Sequence, residues 1–131
     1  MQNTELKEAF SLSEAWDAIG GGSRMVTGVT VVRKAFLAEH PAAVERFLAA
    51  HAESAKTANE DVEGTAALIA EYGIIEKAPV AQKALPKCAV SCLTGEEMAA
   101  ALKGYLEVLF KADPASVGGA VPDEGFYYGK S

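Results

Sequence analysis

The sequence lacks the features that membrane-spanning and nucleic-acid-binding proteins need. No apolar run approaches the roughly 20 residues that cross a bilayer, so no transmembrane segment is predicted. The 12 basic residues are scattered among 18 acidic ones, and the formal net charge is −6. Binding to nucleic acid or to an anionic membrane requires clustered lysine and arginine, so neither is expected as a partner.

An export signal is also missing from the sequence. The opening residues, MQNTELKEAF, are polar and acidic, without the apolar core and cleavage site of a signal peptide. The chain is therefore predicted to have no signal peptide of its own, and taken alone it is expected to stay in the cytoplasm.

Cysteine and histidine are scarce, with two of each. Cys88 and Cys92 are four residues apart with no histidine nearby, whereas zinc sites usually need four ligands at tighter spacings. On a strand that spacing is about 13 Å, too long for a disulfide, so two buried thiols are predicted. His40 is interpreted as a capping residue beside Pro41, and His51 as a packed core residue. No metal, cofactor or catalytic residue is therefore predicted.

What the sequence does contain is a large apolar fraction, arranged mostly in helical periodicity. Half of the 131 residues are apolar, which fits one globular domain. Apolar residues recur at helical spacing over residues 4–19, from Pro41 onward, over 62–72, over 77–84 and after Thr94. Ser11 with Glu14, and Thr94 with Glu97, are spaced as capping boxes. The GGGS stretch at 20–23 is interpreted as a flexible connector.

Two stretches have strand composition. Residues 25–32, MVTGVTVV, are β-branched and almost continuously apolar, as in a strand covered on both faces. Residues 88–93, CAVSCL, are a weaker candidate. Because a buried strand must pair its backbone groups and two strands make a marginal sheet, we expect missing strands. A second copy of the chain or a longer parent protein would supply them.

Three stretches together resemble one protein family. They are MVTGVTVVRKAFLAEHPAAVERFLAAHAES, ALPKCAVSCLTGEEMAAALKGYLEVLF and DPASVGGAVPDEGFYYGKS, in that order. They are similar to the carboxy-terminal part of substrate-binding proteins of ABC importers of the nitrate, sulfonate and taurine type, a group related to the thiamine-precursor binders. The resemblance implies an α/β fold: the C-terminal portion of a two-lobed type II periplasmic-binding-protein fold, mostly helices with one or two strands.

The resemblance also implies a domain division and a function. Residues 1–24 would end the second lobe and form the interlobe connector, and residues 25–131 would complete the first lobe. The full-length protein would be an extracytoplasmic, membrane-associated lipoprotein or periplasmic protein that delivers a small-molecule ligand to an ABC permease. Residues beside the crossing strand would face the ligand, which makes Ser23, Arg24 and Thr27 the candidate ligand-binding residues. The aromatic end FYY (126–128) would pack on lobe surface outside this chain.

Two other functions stay open at the level of sequence. In the first, the chain is a stand-alone interaction module that forms a homodimer through its exposed strand. In the other it is a fragment of an enzyme like those that form the thiamine pyrimidine, although no His/Cys cluster suited to that chemistry is present. A solute-binding protein without enzymatic activity remains the favoured prediction.

Overall fold

The computed structural model describes residues 9–129, which divide into two compact units. The first unit comprises residues 9–30 and 94–129, and the second unit comprises residues 31–93. Within the described residues there are six α-helices: α1 (Leu12–Ile19), α2 (Lys34–Glu39), α3 (Pro41–Glu60), α4 (Val62–Glu71), α5 (Ala78–Ala84) and α6 (Gly95–Ala112). Three short 3-10 helices are formed by Leu85–Lys87, Pro114–Val117 and Glu124–Phe126.

No β-strand is present in residues 9–129, so the predicted α/β class is wrong and the described chain is all-α. The stretch 25–32 has no regular secondary structure, although its composition is that of a strand. Residues 88–93 likewise form a turn and irregular backbone after the 3-10 helix Leu85–Lys87. A β-ladder requires a second segment to exchange hydrogen bonds with, and neither stretch has one in this part of the chain.

The predicted helices over 62–72 and 77–84, and those after Pro41 and Thr94, agree with the structure. The first predicted helix, 4–19, begins only at Leu12: residues 9–11 are not helical, and residues 4–8 lie outside the described residues. Pro41 occupies the first turn of α3, where a missing N–H costs nothing. The side chain of Ser11 accepts a hydrogen bond from the Glu14 N–H and caps α1. Gly73, with φ near 69°, follows the end of α4.

Helix α6 departs from its predicted cap. Thr94 precedes the helix, but its side chain makes no capping hydrogen bond. Glu97 instead pairs with Arg24, so the predicted capping box at this end is wrong. Asp61 provides a true cap elsewhere, since its carboxylate accepts from the Gly64 N–H at 2.9 Å and begins α4.

The second unit is built from α2 to α5. Helix α4 packs on both α3 and α5, the 3-10 helix Leu85–Lys87 contacts all three, and α2 adjoins α3 at His40. In the first unit, α6 packs on the 3-10 helix Pro114–Val117, and α1 contacts α6 through the rings of Trp16 and Tyr105.

The buried core is small and built largely of alanine. Six apolar side chains among the described residues are buried, and four of them are alanines: Val44, Ala55, Ala66, Ala81, Ala99 and Tyr127. Each alanine removes only one methyl group from water, worth about 0.8 kcal/mol. Many larger apolar side chains stay exposed, among them Phe47, Leu68, Tyr72 and Ile74. The helices therefore present apolar surface that the described residues do not cover.

Candidate functional site

The most developed polar arrangement in the first unit is centred on Trp16 and Ser23. The indole N–H of Trp16 donates to the Ser23 carbonyl oxygen and to its hydroxyl oxygen, both at 3.1 Å. The Ser23 hydroxyl in turn donates to the Gly20 carbonyl at 2.6 Å. Trp16 also packs at a tilt against Tyr105 of α6, with ring centroids 4.9 Å apart. Ser23 is thus held to both α1 and the turn that follows it.

The glycines of this turn are required by its geometry. The Ser23 N–H donates to the Gly20 carbonyl at 3.0 Å, closing a four-residue turn whose central residues Gly21 and Gly22 both have positive φ. Such φ values strain any residue with a Cβ. A Cβ on Gly20 would lie 2.5 Å from the Trp16 Nε1 atom. The predicted flexible connector is therefore a hydrogen-bonded turn fitted to the indole ring.

Arg24 follows this turn and forms an ion pair with α6. Its Nη1 atom lies 3.0 Å from Oε1 of Glu97, and the two side chains are 64% and 63% exposed. An ion pair this exposed contributes little stability, at most about 1 kcal/mol. The guanidinium is therefore accessible to an anion that competes with Glu97.

The three predicted ligand-binding residues are close together in the sequence, but their side chains have different environments. Ser23 is half-buried with its hydroxyl engaged, Arg24 is exposed and paired, and Thr27 is exposed on irregular backbone. Ser23 lines a shallow cleft of about 660 Å³ between the glycine turn and α6, whereas Arg24 and Thr27 do not. Glu107 and Lys111 bring charge to that cleft. The role of Ser23, Arg24 and Thr27 in ligand binding stays a prediction.

The second unit has a smaller cleft between α3 and residues 90–92. Its volume is about 280 Å³, and its polar lining comes from Lys56, Asn59, Ser91 and Cys92. The Asn59 amide donates to the Ala55 carbonyl at 2.7 Å and to the Val90 carbonyl at 2.9 Å. Asn59 thereby fastens the irregular stretch to α3, and both of its amide protons are used in doing so.

Cys88 and His51, which were predicted to be buried, are exposed, and the predicted side-chain cap by His40 is absent. Cys88 is an exposed free thiol and Cys92 a half-buried one. His51 is exposed and stacks on Phe47, with ring centroids 5.6 Å apart. His40 makes no capping hydrogen bond with its side chain and instead contacts the Phe36 ring at 4.9 Å. Within residues 9–129, no three His, Cys, Asp or Glu side chains are placed to hold a metal ion.

The aromatic end of the chain is anchored in part. Tyr127 is 5% exposed and packs edge-to-face on Phe126, with ring centroids 5.4 Å apart. Phe126 itself is 54% exposed. Lys103 of α6 lies 3.6 Å from the Glu124 carboxylate, which fastens this segment to the helix. The prediction that the whole aromatic end packs outside the chain is wrong for Tyr127 and remains open for Phe126.

Two features of the site were missed at the level of sequence. The hydrogen bonds of Trp16 to Ser23 were not predicted. The sequence feature that could have indicated them is the position of the single tryptophan, shortly before the glycine turn. Glu97 was assigned to a cap, which left Arg24 without its partner. Together these contacts hold the glycine turn against α1 and place the paired Arg24 guanidinium at the surface.

Comparison with protein-family models finds no match for this chain, and comparisons with curated proteins and with solved structures find none either. Among residues 9–129, no helix combines the length and apolar character needed to cross a membrane.

Proposed function

We propose that this chain is the carboxy-terminal part of the solute-binding component of an ABC importer. The whole protein would capture a small solute of the nitrate, sulfonate or taurine type and present it to a membrane permease. The order and spacing of the three motif stretches support this proposal, and so do two properties of the structure described below.

The observation that carries the proposal is the state of residues 25–32. This stretch has the composition of a strand covered on both faces, yet Val29 is 60% exposed and Val31 is 79% exposed. An apolar stretch of this kind is covered in a stable protein. Its exposure favours a role as one part of a larger assembly, in which other polypeptide covers it.

The small alanine core supports the same proposal. The helices bury few large side chains and leave many exposed, so the described residues hold less hydrophobic stabilisation than an ordinary domain of this length. Additional protein packed on these faces would supply the difference. A solute-binding protein that closes two bodies around its ligand contains the additional protein that would cover these faces.

Arg24 is the residue we propose for contact with an anionic solute. Its guanidinium is exposed, and its ion pair with Glu97 is weak enough for a solute carboxylate, sulfonate or nitrate to displace. Thr27 adds an exposed hydroxyl three residues later. Ser23 has its hydroxyl committed to Trp16 and Gly20, so its part in this site is to position Arg24.

The proposal is tested by complementation. A complete importer solute-binding protein of this group is shortened by the stretch that resembles residues 25–129 and co-expressed with this chain. We expect a one-to-one complex that binds an anionic solute in calorimetry, with binding weakened about tenfold or more by Arg24→Ala. Glu97→Gln is the matched control, since it frees Arg24 and is expected to preserve or strengthen binding. A chain that stays separate from every shortened partner contradicts the proposal.

A further inference from the structure

Helix α4, in the second unit, has two neighbouring rows of side chains on its exposed side. Side chains four positions apart lie one above the other on a helix, so Glu63, Ala67 and Glu71 form one row, and Leu68 and Tyr72 form the next. All five residues are exposed. The buried alanine of α4 lies on the opposite side of the helix. The exposed side of α4 is therefore half acidic and half apolar.

The end of α4 adds a third apolar side chain to this side. The N–H groups of Gly73 and Ile74 donate to two carbonyls of the last helical turn, at 3.1 and 3.0 Å, and Gly73 has positive φ. These bonds form a Schellman motif, in which the residue after the glycine commonly contacts helix residues three and four positions before the cap, one of which is Leu68. Ile74 is nonetheless 73% exposed, and Tyr72 is 77% exposed. Leu68, Tyr72 and Ile74 therefore form an apolar patch open to solvent.

The carboxylates beside this patch have no cation of their own. Residues 57–76 include five acidic residues and no lysine or arginine. Glu60 pairs with Lys56, and Asp61 caps α4. The other three are exposed and form no ion pair within residues 9–129: Glu63, Glu71 and Glu76. The elements packed on α4 do contain lysines, but none of these is paired with the three carboxylates: Lys56, Lys83 and Lys87.

The position of Glu71 is not explained by the stability of its own helix. The helix dipole favours a carboxylate in the first turn and disfavours one in the last turn. Glu63 lies in the first turn of α4, whereas Glu71 is its last residue. Rules of local stability are most often broken at functional sites, so Glu71 indicates a role in binding.

The charge and the shape of this side of α4 determine what can bind there. Nucleic acid and anionic lipid are repelled by its carboxylates. A strand cannot add to it, because the backbone of a helix is already hydrogen-bonded, and neither of the two clefts described above is lined by α4. If a second copy paired its α4 antiparallel about a two-fold axis, the two acidic rows would lie on the same side and repel each other. What fits is another helix with an apolar stripe and a basic row beside it.

We propose that the exposed side of α4 is a docking surface for a basic amphipathic helix of a separately folded protein. The apolar stripe of that helix covers Leu68, Tyr72 and Ile74, and its lysines or arginines pair with Glu63 and Glu71. A surface that is half apolar and half charged is typical of contacts between separately folded proteins. The inference does not rest on the proposed solute-binding function, because it uses only residues of the second unit.

The experiment adds the whole chain to labelled peptides of about 20 residues, long enough to form a helix, and follows fluorescence anisotropy at low ionic strength. The probe, KLAALQAKLAALQAKLAALQ, has a leucine stripe with lysines along one side of it. The control, ELAALQAELAALQAELAALQ, has glutamate in place of lysine. We expect saturable binding of the lysine peptide, about tenfold tighter than that of the glutamate peptide, with a preference that shrinks as salt is added.

Three variants separate this docking surface from attraction to the net charge of the chain. Glu71→Lys is expected to weaken binding of the lysine peptide about tenfold and to strengthen that of the glutamate peptide. Glu53→Lys is the matched control, because it makes the same change of charge at an exposed residue of α3, and it is expected to stay within about twofold. Tyr72→Ala removes an aromatic contact and is expected to weaken binding about tenfold. Circular dichroism of each variant checks that its helix content is unchanged.

Each outcome supports or overturns the docking surface. Tighter binding of the lysine peptide, lost in Glu71→Lys and Tyr72→Ala but kept in Glu53→Lys, supports it even if complementation with a shortened solute-binding protein fails. Equal binding of the two peptides, equal effects of Glu71→Lys and Glu53→Lys, or no saturable binding overturns it. A dimer of the chain that light scattering detects and that Tyr72→Ala abolishes also overturns it, since a second copy would be the occupant. So does a complemented complex that no longer binds the lysine peptide, because the rest of the same protein would then cover α4.

Discussion

Ser23 shows how one side chain organises the first unit at the scale of a residue. Its hydroxyl accepts from the Trp16 indole and donates to the Gly20 carbonyl, while its backbone closes the glycine turn. Arg24 is the next residue, so the direction in which the chain leaves the turn depends on these bonds. Ser23 was predicted from the sequence to bind the ligand, and the structure shows that its hydroxyl already bonds to Trp16 and Gly20.

We predict that Ser23→Ala lowers the free energy of unfolding of the first unit by about 1 kcal/mol. The substitution removes the hydroxyl bond to Gly20 and one of the two acceptors of the Trp16 N–H, while the Ser23 carbonyl remains as the other acceptor. The measurement is urea unfolding followed by the fluorescence of Trp16, the single tryptophan of the chain.

The control for this prediction is Ser91→Ala, at an exposed serine of the second unit. It is expected to change the transition by no more than about 0.5 kcal/mol. Equal transitions for Ser23→Ala and the unchanged chain would show that the hydroxyl bonds contribute nothing net, and would remove Ser23 as the organiser of the turn.

At the scale of the element, helix ends separate what the sequence predicts from what it does not. The cap at Ser11 is local, since donor and acceptor are three residues apart and no distant group competes. At the predicted cap of α6, the Thr94 side chain makes no capping hydrogen bond, and the Glu97 carboxylate pairs with Arg24, 73 positions away in the sequence. The spacing of neighbouring residues in the sequence does not indicate an ion pair between residues this far apart.

We predict that Asp61→Ala lowers the free energy of unfolding of the second unit by about 1 kcal/mol, whereas Thr94→Ala costs less than about 0.5 kcal/mol. Asp61 accepts from the Gly64 N–H and satisfies a free donor of α4, while the Thr94 side chain makes no such bond. Urea unfolding followed by circular dichroism at 222 nm compares the two variants. A larger loss for Thr94→Ala would contradict the observed pattern of caps.

Helices were predictable here and strands were not, for a physical reason. The apolar periodicity of residues 41–60 and 62–71 needs only the chain's own i to i+4 hydrogen bonds to become α3 and α4. Residues 25–32 and 88–93 have strand composition, but a strand forms only against a second segment. The described residues offer none, so the same β-branched run that suggested an α/β class remains irregular. The naming of Ser23, Arg24 and Thr27 as ligand-binding residues stays a prediction, and the contacts of Ser23 with Trp16 and of Arg24 with Glu97 were not predicted.

At the scale of the whole molecule, the balance of buried and exposed apolar surface determines the stability that we expect. Few side chains are buried, most of those are alanine, and large apolar residues in both units remain open to solvent. The net stability of a domain is a small difference between large terms, so an underfilled core leaves little margin. The described residues therefore leave large apolar side chains exposed in both units and the backbone of residues 24–32 without backbone hydrogen bonds.

The central claim is that residues 25–32 are unpaired in the chain alone, and amide hydrogen exchange tests it most directly. In the isolated chain at low concentration, we predict that these amides exchange within about tenfold of the rates of an unstructured peptide, while amides in the middle of α3 are protected about 100-fold or more. Protection of 25–32 equal to that of α3, at every concentration measured, would contradict the claim, because the stretch would then already be hydrogen-bonded within the folded chain.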